Sequence, residues 1–168
     1  MAREPLTGSQ VRDNPLRQLI DSVDDGGLSW TALLARLDEL DLRPAPDPDS
    51  VKAAVGGYLA DTAGLLDTLG EAVDGGRVDW VEVLDAAQGY LGNRDDLLSD
   101  DSGVLGVLDD AYLCRALLRY AAAGDDEAPV TVPVTLEEDV VRRLLGGPVA
   151  AALDVGAQQT VRDIRRSG

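Results

Sequence analysis

Apolar residues recur along this chain at helical spacing, and they do so in blocks separated by Gly, Pro and Asp. Leu16, Leu19, Ile20 and Val23 fall at i, i+3, i+4 and i+7 behind Asn14-Pro15, a cap followed by the proline favoured in a first helical turn. Asp25-Gly26-Gly27 closes that block. Ser29 then caps a second helix, with Trp30, Leu33, Leu34, Leu37 and Leu40 in one stripe. The run Arg43-Pro44-Ala45-Pro46-Asp47-Pro48 cannot continue a helix and reads as a stiff linker. From Ser50 a third helix carries Val51, Val55, Tyr58, Leu59, Thr62, Leu65, Leu66 and Leu69 on one face. Gly56, Gly57 and Gly64 weaken it, which predicts close approach by a neighbouring backbone.

Asp79-Trp80-Val81-Glu82 resembles a capping box that opens a fourth helix through Val83, Leu84, Ala87 and Leu91. A fifth is predicted over 104–123. Ala128 to Thr135 alternates Val with Thr or Pro, as an extended connector or edge strand does. Thr135-Leu136-Glu137-Glu138 is a second capping box, opening a helix to Leu145; Gly146-Gly147-Pro148 breaks it, and a last helix is predicted over 149–164, ending on Arg165 and Arg166. Strand signals are otherwise poor. The expected fold is all-α, a compact helical bundle. Its expected parts are an N-terminal tail (1–13), a helical domain (14–124), an extended connector (125–135) and a C-terminal helical arm (136–168).

Two segments repeat. A shift of fifty residues pairs Leu16 with Leu66, Leu19 with Leu69, Gly26 with Gly76, Trp30 with Trp80 and Leu34 with Leu84, without a gap. Helix, tight Asp/Gly turn and Trp-started helix form the unit, over 16–41 and again over 66–91. Trp30, Trp80, Gly26 and Gly76 are its expected structural residues. The turns have the outline of calcium loops, but Val23 and Val73 occupy the third ligand position and Ala32 the twelfth of the first copy, so a structural turn is expected.

Composition narrows the chemistry. Thirty-one acids against fifteen bases give a formal net charge of −16, which disfavours binding to nucleic acid or to an anionic membrane. The 168 residues contain no Phe and no His, so Leu, Val and Ala must fill the core, and every imidazole-based site is excluded. One cysteine, Cys114, rules out an intrachain disulfide and points to a reducing compartment; an inert buried thiol is expected. With no signal-peptide pattern and no apolar run of spanning length, a cytoplasmic location is expected.

The densest chemistry is the acidic stretch Asp95-Asp96-Leu97-Leu98-Ser99-Asp100-Asp101 followed by Asp109-Asp110. Asp96, Asp100, Asp109 and Asp110 are the candidate metal ligands, for magnesium or calcium, since these hard cations take several carboxylate oxygens. Helical phase puts Asp110 in line with Val107, Cys114 and Leu117 and away from Arg115 and Arg119, so it is also a candidate structural tie to the loop 96–103.

The same stretch resembles the YkvA-like domain of unknown function, over residues 90–113. Asp96-Leu97-Leu98-Ser99-Asp100 stands where that family reads Asp-Leu-Ile-Pro-Asp, with Ser99 in the proline position, and Leu105-Gly106-Val107-Leu108-Asp109-Asp110 fits its helix start. The resemblance implies a small helical domain, often near membranes, with no established activity. Three function classes are therefore expected: a non-catalytic protein-interaction or regulatory module with a protein partner of basic character, a divalent-cation-dependent enzyme or sensor using Asp95–Asp110, or an acidic inhibitor that mimics nucleic acid. Homo-oligomerisation is compatible with each.

Overall fold

A computed structural model describes residues 16, 30–40, 46–92 and 103–167. The fold is all-α: among the described residues there are six α-helices and no strand. They are α1 (Thr31–Glu39), α2 (Pro48–Asp74), α3 (Val81–Gly92), α4 (Val104–Ala123), α5 (Leu136–Leu145) and α6 (Gly147–Ser167). One short 3₁₀ turn, Val78–Trp80, leads into α3.

Helix α4 is the axis of the bundle. It packs along α6 and α3 and also meets α1, α2 and α5. Its buried residues go round most of the circumference, from Val104, Leu105, Val107 and Leu108 to Ala111, Cys114, Leu117, Leu118 and Ala121. A narrow seam at Gly106, Leu113 and Tyr120 is half-buried, so the helix has no broad solvent face. The polar groups it carries are therefore drawn inside, and Asp109, Asp110 and Arg115 are buried as well.

Helix boundaries follow local chemistry. Pro48 occupies the first turn of α2, and the Asp47 carboxylate, not Ser50, is the cap: it accepts from the Ser50 N–H. The helix closes in a Schellman turn, with Arg77 N–H on Ala72 O, Gly76 N–H on Val73 O, and Gly76 at φ +116°. Thr135 caps α5 by accepting from Glu138 N–H, as its capping-box sequence predicts. Gly146, at φ +90°, makes the elbow between α5 and α6. The last helix begins at Gly147, with Pro148 inside its first turn, and runs past Ile164 to Ser167.

Two sequence expectations are corrected. Gly56, Gly57 and Gly64 do not receive a neighbouring backbone: a Cβ at any of them would meet nothing within 4 Å. The Asp79 box is also not built as expected. Its carboxylate is held by the Arg77 guanidinium two residues earlier, at 3.0 and 3.1 Å, and a 3₁₀ turn precedes α3.

Of the fifty-residue repeat, Gly26 and most of the first helix lie outside the described residues. Where both copies are described, Leu33 and Val83, Leu37 and Ala87, and Leu16 and Leu66 are all buried. The tryptophans differ. Trp80 is buried, whereas Trp30 is half-buried, with the Lys52 ammonium 5.7 Å from its ring centre.

Candidate functional site

The largest concentration of buried polar groups lies where α2, α4, the connector and α5 converge. One turn apart on α4, Arg115 and Arg119 both point toward the connector, and each donates to the Pro133 carbonyl, at 3.3 and 3.4 Å. Arg119 also grips Glu138 through two bonds, at 2.7 and 2.9 Å, and this glutamate is buried. Fork-to-carboxylate pairing of this kind is strong and directional. Glu138 is therefore diverted from its capping-box role of reaching back to the helix start.

Arg115 is buried to 2% exposure. Its guanidinium lies 5.0 Å from the centre of the Tyr58 ring, and one nitrogen is 3.5 Å from the Thr62 hydroxyl. Thr62 itself donates to Tyr58 O one turn back. Among the described residues no carboxylate lies within 4.0 Å of Arg115. Glu138 thus neutralises Arg119, and Arg115 beside it has no carboxylate of its own among the described residues.

The Tyr58 hydroxyl is buried and has no hydrogen-bond partner among the described residues. Burial pushes its pKa well above the ordinary value, so it stays neutral. A buried hydroxyl without a partner costs free energy that a phenylalanine would not. Tyr58→Phe should accordingly keep the fold and raise the unfolding free energy by about 1 kcal/mol; a loss of that size in urea denaturation would show that the hydroxyl has a partner in solution.

A second polar clip ties the turn after α2 to the end of α4. Asp125 accepts from Trp80 Nε1 at 3.0 Å, Arg77 at 3.1 Å and its own loop's Glu127 N–H at 2.9 Å. These bonds, the indole's first, hold its carboxyl below the usual range. A third, between α4, α5 and α6, joins the Tyr112 hydroxyl to Asp154 at 3.0 Å, with Arg142 donating to the same hydroxyl at 2.6 Å. Cys114 is fully buried and donates to Ala87 O; burial first, then Asp110, pushes the thiol up, so it is inert as expected.

The candidate metal ligands divide. Asp96 and Asp100, with Asp95 and Asp101, lie outside the described residues, as does the 96–102 stretch that Asp110 was expected to tie. Asp109 and Asp110 are buried, at 2% and 8% exposure, in the first turns of α4. Among the described residues no group of three or more metal-ligating side chains comes together. No described helix is long and apolar enough to cross a membrane.

Sequence reasoning put Arg115 and Arg119 on one side of α4 but missed the Arg115–Arg119–Glu138 centre, because helical phase does not show which distant residues cover that side. One signal was present: two arginines at i, i+4 in a helix that is apolar nearly all round. Comparison with protein-family models, with curated proteins and with solved structures gave no match for this chain.

Proposed function

We propose that this protein is a non-catalytic interaction module, and that the connector between α4 and α5 is its binding edge. The observation that carries this reading is the exposure of Val134 and Leu136, at 78% and 86%, on a backbone that Arg115 and Arg119 pin from beneath through Pro133 O. From Val130 to Val134 no N–H or C=O is bonded to another backbone group among the described residues. A pinned segment with free backbone groups and alternating apolar side chains suits strand addition, in which a partner's extended segment pairs with it. Pro133 cannot donate from its own backbone edge, which leaves the edge of Val132 and Val134 for the partner. A net charge of −16 selects a basic partner segment.

Selection of a displayed random-peptide library against the full chain tests this. The expected winners alternate apolar residues and carry flanking Lys or Arg. Their affinity should fall about tenfold or more for Val134→Asp/Leu136→Asp, the loss of about 1.4 kcal/mol or more expected from removing two contact side chains. Winners that bind the double variant as tightly as the wild type, or no enrichment at all, would overturn the reading.

A further inference from the structure

Beside the connector, on the α2 side, is an open cleft of about 400 Å³. Buried Arg115 and exposed Asp61 both line it, so the guanidinium stands at its inner side and the carboxylate at its mouth. Leu65, Pro133, Thr135 and Gly64 complete the walls used here.

Three observations converge on a ligand. Arg115 carries a cationic guanidinium, yet it is buried and has no ion pair among the described residues. Its Nε has no hydrogen-bond partner there either. An uncompensated buried cation is costly, and an incoming anion relieves that cost. The third observation is Gly64, which weakens α2 although no neighbour requires a glycine: a Cβ there would meet open space. Its missing side chain keeps the cleft open.

We propose that this cleft binds a small organic monocarboxylate, its head on Arg115 and its apolar tail along Leu65 and Pro133. A planar carboxylate matches the guanidinium fork. The chain's net charge of −16, and Asp61 at the mouth, penalise each further negative charge, so one carboxylate is favoured over a phosphate. The site borders the same connector, at Pro133 and Thr135, but is probed by small carboxylates rather than peptides, so its test does not depend on the strand-addition reading.

The experiment is an amide-shift NMR titration of the full chain at fixed ionic strength with sodium hexanoate, sodium acetate, inorganic phosphate and hexan-1-ol. Hexanoate should give saturable shifts centred on residues 60–68 and 133–135, with acetate and phosphate each about fivefold weaker or more and hexan-1-ol without effect at that place. Arg115→Gln should weaken hexanoate about tenfold or more. Because that change also disturbs the packing, Gly64→Leu supplies a second arm: it fills the cleft, leaves Arg115 in place and should abolish binding. Asp61→Asn, at the exposed mouth, should tighten binding about twofold. Absence of saturable hexanoate shifts at this cleft, equal binding of hexan-1-ol, tighter binding of phosphate, or unchanged hexanoate binding by Gly64→Leu would each overturn the proposal.

Discussion

Glu138→Ala should lower the unfolding free energy by about 3 kcal/mol, at the lower end of the range for breaking a buried ion pair because Arg119 keeps a quarter of its side chain in contact with water. The loss has two parts. The bidentate bond to Arg119 goes, and with it the one carboxylate among the described residues that pairs with either of the two guanidiniums leaning on Pro133 O. Both cations then remain in or near a low-dielectric region without a counter-charge. Removing Arg119 as well should therefore cost less than the sum of the single changes, since the second deletion also removes a stranded charge. Urea denaturation of the two single variants and the double variant gives the cycle. A Glu138→Ala loss below about 1 kcal/mol would mean that Arg119 swings freely into solvent and that the pair holds nothing.

Leu117→Ala should be as damaging, at about 3–4 kcal/mol. Leu117 is fully buried on the central helix, among neighbours that are themselves mostly Leu, Val and Ala. Because α4 is enclosed on nearly every side, the surrounding helices cannot close the void without moving the bundle axis. The midpoint in urea should fall while its slope stays constant, and a change in slope would instead signal a loosened native or denatured state. A loss below about 1.5 kcal/mol would show that the interior collapses readily onto the gap.

The helices were legible because their punctuation is local. Gly103 and Gly124 bracket α4, and Thr135 caps α5 through its third residue. Such signals act within four residues and survive without knowledge of the rest of the chain. What was not legible depends on partners far away in sequence. Asp79 reads as a cap until Arg77 takes it, and Arg77 is itself placed by Asp125 and Glu127, about fifty residues on. Glu138 reads as half of a capping box until α4 delivers Arg119 across nineteen residues. The glycines of α2 read as packing contacts, yet Gly64 borders a cleft and a Cβ at Gly56 or Gly57 would meet open space. Periodicity finds the buried face of a helix, but it does not say which polar groups the next helix will cover.

Six arginines are spent inside the fold or along its seams. Arg115 and Arg119 hold the connector, Arg77 the turn before α3, and Arg142 the Tyr112–Asp154 pair. Arg36 and Arg165 donate to carbonyls at the C-terminal ends of α5 and α4. These six positive charges thus act as mortar between helices, while many of the acids, among them Asp49, Asp61, Glu71, Asp74, Glu82 and Asp85, face water. Seen from solution, the molecule is a polyanion, and a sheath of mobile counter-ions completes its neutrality. Ionic strength therefore acts on its two halves differently: salt within a Debye length screens the repulsion among surface carboxylates, while the contacts of buried Arg115 and the Arg119–Glu138 pair, largely shielded from the solvent, keep more of their strength. The bundle is held from within and pushed apart from without, and the surrounding salt sets only the second of these.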